Sequence, residues 1–475
     1  MNRMERGPGL GLSGLSVTEA GARLRRGEVS PVDLVDACLS RIAATQDELN
    51  LYITVLDETA RTKAVQAEME IRRGRLRGPL HGIPFAVKDN YHVKGVLTTA
   101  GSRLMLDHMA EETATIIARL EAAGAILLGK LNTWEYGTGN GEVHHDLPFP
   151  VARNPWNPDR FTGGSSTGAG AAVAAGAAMF ALGSDTGGSV RLPAAACGVQ
   201  GMKATFGRIS RKGMLPNCWS SDVPGPLTWT AEDNALVLSM ICGVDPLDES
   251  TRDVPVPDFA AGLRAGRVEG MRIGVVRDFG EGAPAFQPAL AENCERMAKV
   301  LEGLGAVVEE ARLPAPLPAY RNTLSVINWS ESYSIHEKDF LERHHEMGFA
   351  LRDKMMSGSM VRAADYLAAQ RYRRELSAAT DAMMQSYDAV LMPTTSMVAP
   401  AFGDNDVVRA YTYAATTSIQ NVTGHPAFAV ASGFDDDGMP TSVQITTKYF
   451  DELTALVVAH AWERAADPRE ARPAA

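Results

Sequence analysis

The chain has 475 residues, 45% of them hydrophobic and 22% charged, an ordinary composition for a folded globular protein and far from the disordered and membrane-spanning classes. Its 57 acidic residues outnumber 46 basic ones, a formal net charge of -11, which disfavours non-specific attraction to nucleic acid or anionic lipid, so neither a nucleic-acid nor a membrane partner is expected. Met1 to Gly14 lacks an apolar h-region and no run of eighteen apolar residues follows, so the expected location is cytoplasmic. Cys38, Cys197, Cys218, Cys242 and Cys294 have no CxxC spacing, and the paired histidines His144–His145 and His344–His345 sit in no HExxH arrangement. Neither a metal cage nor a disulfide framework is expected.

From Ser16 to Arg77 apolar residues recur at helical spacing, as in Val32, Leu34, Val35, Cys38, Leu39 and Ile42, with Ser30-Pro31 as cap and first-turn proline. Residues 1–78 are therefore predicted to form a helical lead-in. Ile83 to Val87 reads as a short buried strand running into Lys88-Asp89-Asn90, and Ala125 to Gly129 as another after a helix, an alternation that implies an α/β fold. Residues 137–168 form a predicted irregular loop leading to Gly163-Gly164-Ser165-Ser166. The small residues from Ala169 to Ala181 suit a closely packed helix, and a second glycine-rich turn, Asp185-Thr186-Gly187-Gly188-Ser189, follows. Further along, Met271–Val276 and Ala389–Met392 are predicted strands, and Pro288–Leu304 and Ala364–Met384 amphipathic helices, the first a potential homodimer contact. Residues 465–475 read as a frayed tail, and no repeat or long linker divides the chain, so a single large domain is expected.

The two Gly/Ser turns place Ser165 and Ser189 24 residues apart, with a helix between them that could bring both hydroxyls together. Gly187 and Gly188 let backbone N–H groups converge, as stabilising a developing oxyanion requires, and make Ser189 the natural nucleophile. A serine hydroxyl needs a base, and neither turn contains a histidine. Lys88, at the end of an apolar strand, could serve if burial lowered its pKa from the ordinary lysine value of about 10.4. Taken singly, a strand-end lysine is usually solvated and glycine turns usually only connect elements; together they support one geometry. Gly164 to Gly168 also fits GxSxG, with Ser166 as nucleophile, but a turn-rich approach stands where that elbow needs a strand. A phosphate cradle lacks both the Gly-Lys-Ser/Thr ending and a GxGxxG.

The block from Gly163-Gly164-Ser165-Ser166 to Ser184-Asp185-Thr186-Gly187-Gly188-Ser189-Val190-Arg191-Leu192-Pro193 resembles the defining segment of the amidase signature family. The resemblance extends to Gly82-Ile83-Pro84 through Lys88-Asp89, Gly129-Lys130-Leu131-Asn132, Asn154-Pro155-Trp156, Cys197-Gly198 through Lys203, Tyr387-Asp388 through Pro393-Thr394, and Thr423 to Ala427. It implies one large α/β domain, a central mixed β-sheet covered by helices on both faces. By the same resemblance Ser189 is the nucleophile, Ser165 the bridging serine after a cis peptide bond, and Lys88 the terminal base. The N–H groups of Thr186, Gly187, Gly188 and Ser189 would form the oxyanion hole, with Ser166, Asp185 and Arg191 in support. The implied chemistry is two-step acyl transfer without metal or organic cofactor. Thr167, Ala169 and Trp229 depart from the common pattern without touching the triad.

The glutaminase component of the tRNA-dependent amidotransferase, one branch of that family, holds glutamine partly through an acidic residue about ten positions before its Gly-Leu-Pro-Ala motif. The equivalent count from Gly424 reaches Ala414, and Tyr411 to Gln420 contains no carboxylate, which argues against glutamine and against an obligate tRNA-linked partner. Gly137, with Tyr136, Thr138, Trp134 and Trp219, could line a roomy cleft. The expected activity is hydrolysis of a small or medium-sized amide, anilide or carbamate. The alternatives are a non-catalytic scaffold of the same fold and a glutaminase-type amidotransferase subunit.

Overall fold

Uninterrupted apolar runs in this chain become strands buried on both faces, as expected where helices cover a sheet. The computed structural model describes residues 10–139, 146–469 and 472–473; the pair His144–His145 lies outside them. Eleven strands are present among the described residues: β1 Tyr52–Val55, β2 Pro84–Lys88, β3 Ile126–Leu131, β4 Phe180–Asp185, β5 Gln200–Lys203, β6 Val223–Thr228, β7 Arg272–Val276, β8 Val307–Ala311, β9 Ala389–Pro393, β10 Ala427–Phe434 and β11 Pro440–Thr446. They form one mixed sheet in the order β1-β3-β2-β4-β6-β5-β10-β11-β9-β7-β8. β2 runs parallel to both β3 and β4, and β7 to both β8 and β9, while the intervening neighbours are antiparallel. Helices flank this sheet: Pro31–Leu49 and Thr167–Ala174 pack on β2 and β3, Pro288–Gly303 on β9 and β11, and Glu452–Ala466 on β10 and β11.

The lead-in is helical as its periodicity predicts, over Val17–Arg26, Pro31–Leu49 and Asp57–Arg72, and it also contributes the edge strand β1. Ser16 with Glu19 and Ser30 with Asp33 close reciprocal capping boxes, and Pro31 occupies the first helical turn. The small-residue helix is shorter than expected. It ends at Ala174, Gly176 turns the chain at φ 71°, and Phe180 to Asp185 is strand β4. The second glycine turn is therefore delivered by a strand in the middle of the sheet. Residues 465–475 are not frayed where they are described. Arg469 is buried and donates to the Trp229 carbonyl at 2.6 Å, its guanidinium lies 4.4 Å from the Trp229 ring centroid, and that of Arg472 lies 4.2 Å from the same ring. Stacked cations and carbonyl bonds hold Arg469 and Arg472, in a stretch whose composition suggested a frayed tail. Among the described residues no helix is long and apolar enough to cross a membrane, and no group of His, Cys, Asp and Glu could hold a metal ion.

Candidate active site

The parallel trio β3, β2 and β4 ends on one side of the sheet, and the site is built where those carboxyl ends meet, a common place for ligands in α/β sheets. Lys88 is the last residue of β2 and Asp185 the last of β4, and neither has exposed surface. The Gly164–Ser165 peptide bond is cis. The Ser165 carbonyl accepts the N–H of Trp134 and the hydroxyl of Thr133, both at 3.1 Å. The Lys88 Nζ lies 2.7 Å from Ser165 Oγ and 3.0 Å from Ser184 Oγ. Burial lowers the Lys88 pKa to about 7 even though Asp222 and Asp185 favour its charge, so a large share of the side chain is a neutral amine near neutral pH. The two turns are tied together, because the N–H of Ser166 donates to the Ser189 carbonyl at 3.3 Å. Ser166 itself is fully buried, and its hydroxyl binds both backbone groups of Ser184 at 3.3 Å. It packs the two turns and has no opening to solvent.

Asp185 shapes the turn that carries Ser189. Its carboxylate accepts the N–H of Gly188 at 2.9 Å and of Val190 at 3.2 Å, and it is paired with the Arg191 guanidinium at 3.0 Å. Burial opposes its charge, but Arg191 and the Asn421 amide outweigh that and hold the carboxyl down at about 2. Arg191 donates in addition to Gln420 and Asn421, so the buried pair is satisfied on every side. One consequence departs from the sequence expectation: the Gly188 N–H is committed to Asp185. The N–H groups of Thr186, Gly187 and Ser189 donate to no protein atom among the described residues. Gly188 is nevertheless required, since at φ 127° a Cβ would stand 2.4 Å from Thr417 Oγ1.

Above this floor lies a cavity of about 150 Å³, open to solvent, with Ser189, Thr186, Gly187, Gly137, Thr138 and Trp134 in its wall. Gly137 is pressed close to the chemistry, because a Cβ there would be 3.3 Å from Ser165 Oγ and 3.7 Å from Lys88 Nζ. Two expected pocket residues lie elsewhere. Tyr136 turns away and packs its ring 4.4 Å from that of His336, and Trp219 is 56% exposed beside Arg211. The roof contains residues that no sequence motif marked. Lys354, on the helix Phe349–Ser359, is buried and donates to Asn217 Oδ1 at 2.5 Å and to Thr138 Oγ1 at 3.3 Å. Burial lowers its pKa to about 8. Asn217 donates to the Gly137 carbonyl, and Asp222 accepts the Asn217 N–H at 2.8 Å and the Thr186 hydroxyl at 2.6 Å. One polar network thus joins the roof to the turn that carries Ser189.

A family model for Amidase matches residues 33–456. The chain belongs to the Amidase family. Its relatives include a component of the glutamyl-tRNA(Gln) amidotransferase of Geobacillus kaustophilus, 36% identical over 96% of this chain and 98% of the relative. Among solved structures, a chain from a vestigial protein complex tied to the evolutionary origins of an s-triazine catabolic enzyme superposes with a TM-score of 0.88 at 32% identity, covering 96% of this amidase and 99% of that chain. A bacterial aryl acylamidase of the amidase signature family gives 0.86 at 25% identity, covering 95% and 96%. This amidase therefore has the expected single α/β domain, with a large mixed sheet flanked by helices, and belongs with enzymes that act on carbonyl–nitrogen bonds.

Proposed function

We propose that this amidase opens a C–N bond by acyl transfer, with Ser189 as nucleophile, Ser165 as proton bridge and Lys88 as base. The observation that carries the reading is the buried Lys88 amine 2.7 Å from Ser165 Oγ, beneath a cavity that Ser189 lines. Neutral Lys88 takes the Ser165 proton as Ser165 takes that of Ser189, and the Ser189 oxygen attacks the carbonyl carbon. The N–H groups of Thr186, Gly187 and Ser189 receive the developing oxyanion. Lys88, now an ammonium, returns a proton through Ser165 to the leaving nitrogen as the C–N bond breaks. Water then attacks the acyl-enzyme along the same proton path, releasing the acid and restoring the Ser189 hydroxyl. Asp185, Arg191 and Ser166 hold the turns in place.

The acyl donor divides into two readings. The amidotransferase relatives match end to end, which favours a glutaminase-type role, release of ammonia from an amide for a partner, over a free-standing hydrolase. One observation supports the free-standing reading: the cavity wall between Tyr413 and Ser418 carries no carboxylate, which leaves Asp353 on the roof as the carboxylate of the cavity lining that could meet an α-amino group. The structural likeness to an aryl acylamidase points the same way, towards aryl amides. Purified protein should be assayed for ammonia release from free glutamine, and by mass for hydrolysis of small amides, anilides and carbamates, with Ser189→Ala in parallel. Turnover on glutamine that disappears in the variant selects the glutaminase-type reading, and turnover confined to the other donors selects the free-standing one. Turnover that survives in Ser189→Ala removes the proposed nucleophile.

A further inference from the structure

Lys88 has a second hydroxyl neighbour that the two-serine proton path does not use. Ser184 Oγ lies 3.0 Å from Lys88 Nζ, and the Asn90 Nδ2 amide, as placed, donates to the same oxygen at 3.1 Å. Both residues are buried, and Asn90 Oδ1 is a buried acceptor with no hydrogen-bond partner among the described residues. We propose that Ser184 and Asn90 are positioning residues that aim the lone pair of the Lys88 amine at Ser165.

A neutral amine has two N–H groups and one lone pair, and it works as a base only when the lone pair faces the proton to be taken. If Ser184 turned its own proton onto Lys88, it would occupy that lone pair and leave the amine donating to Ser165, the unproductive direction. Turning the Asn90 amide by 180° gives its orphaned oxygen the Ser184 proton, because the oxygen and nitrogen of an amide occupy equivalent places. The chain then runs one way, from Lys88 N–H to Ser184 Oγ and from Ser184 O–H to Asn90 Oδ1, and the amine keeps its lone pair for Ser165.

The framework around this chain does not depend on the Ser184 hydroxyl. The N–H and carbonyl of Ser184 both bind the Ser166 hydroxyl at 3.3 Å, and the preceding Gly183 carbonyl accepts the Tyr91 hydroxyl at 2.6 Å. The charged groups nearest Lys88 are Asp185, neutralised by Arg191, and Asp222 on the segment before β6; Asp89, the next residue in the chain, is paired with Lys130 at 2.6 Å. None of these supplies the acceptor that Ser184 provides.

The inference rests on Lys88 being the base, and its test needs no knowledge of the natural substrate. The pH dependence of Ser189 phosphonylation by a small alkyl fluorophosphonate is measured for the wild type, Ser184→Ala, Asn90→Ala, the double variant and Lys88→Met. Ser184→Ala should label about tenfold more slowly at its alkaline plateau, with the midpoint moved to lower pH because the ammonium has lost an acceptor. Asn90→Ala should slow labelling in the same direction, and the double variant should be no slower than Ser184→Ala, since Asn90 acts through Ser184. A Ser184→Ala profile that matches the wild type in rate and midpoint, or a double variant whose loss is the product of the single losses, overturns the inference. If Ser184→Ala does not fold, Asn90→Ala decides alone: slowed labelling supports the inference, and an unchanged profile overturns it. Lys88→Met separates the two levels. Wild-type labelling in that variant removes the base itself, whereas silence there combined with an unaltered Ser184→Ala profile removes only the positioning role.

Discussion

On the floor of the cavity Lys88, Ser165, Asp185 and Arg191 have at most 1% of their surface exposed, whereas on its roof Arg321 and Tyr413 are half-buried and Asp353 is exposed. The floor comes from the ends of neighbouring strands and is fixed by an ion pair and backbone hydrogen bonds. The roof comes from the successive helices Leu317–Arg343 and Phe349–Ser359, from the helix Asn405–Tyr413 and from the loop at Asn217, three separate stretches of the chain. Chemistry requires a fixed geometry and low solvent access, so its residues are locked. Substrate choice depends on the surfaces that helices happen to present, and these meet the floor through the polar network of Lys354, Asn217 and Asp222.

Substitutions separate the two regions, and the largest effects belong to the floor. Ser189→Ala and Lys88→Ala should each lower turnover by about 10⁴-fold or more, as when the nucleophile or base of a serine hydrolase is removed, with circular dichroism unchanged. Arg191→Met strands a buried carboxylate and should destabilise the protein by about 3–5 kcal/mol, read as a lower urea midpoint; an unmoved midpoint would mean that Asp185 is held by its amide and backbone donors alone. Gly188→Ala forces a Cβ against Thr417 and should slow acylation about 100-fold, measured as single-turnover labelling of Ser189. The wild-type rate should rise through a midpoint near pH 7 and level off at alkaline pH, because burial lowers the Lys88 pKa and only the neutral amine is active. A roof substitution, Lys354→Met, should change KM several-fold while fluorophosphonate labelling stays within about twofold. A labelling rate that collapsed in Lys354→Met would join roof and floor into one unit.

The same division governs what could be read from the sequence. Gly163 to Ser166, Asp185 to Ser189 and Lys88 are short motifs that together suggest a serine nucleophile with a lysine base, the roles of Ser165, Ser166, Asp185 and Arg191 follow from the family resemblance, and the apolar runs nearby give away β2 and β3. Strand β6 was hidden by Pro224 and Pro226, residues that argue against a central strand. They are accommodated because β5 pairs only with Leu227 and Thr228, beyond both prolines. The commitment of the Gly188 N–H to Asp185 could not be read either, because a carboxylate three residues away can cap a turn or face solvent with the same spelling. Lys354 and Asn217 carry no local signature: a lysine in a helix is usually solvated, and only the packing of Phe349–Ser359 over the cavity turns this one inward. The reverse error befell Tyr136 and Trp219, aromatic residues close in sequence to the cavity whose rings serve a packed cluster and the surface.

The central claim, a serine nucleophile activated by a buried lysine, is tested most directly by intact-mass and peptide mapping of wild type and Lys88→Met after exposure to a small fluorophosphonate across pH 5.5 to 9. The structure leads to one adduct per wild-type chain, on Ser189, forming with a half-maximal rate near pH 7, and to no adduct on the Lys88→Met protein. An adduct on Ser166, or equal labelling of Ser189 with and without Lys88, would contradict it.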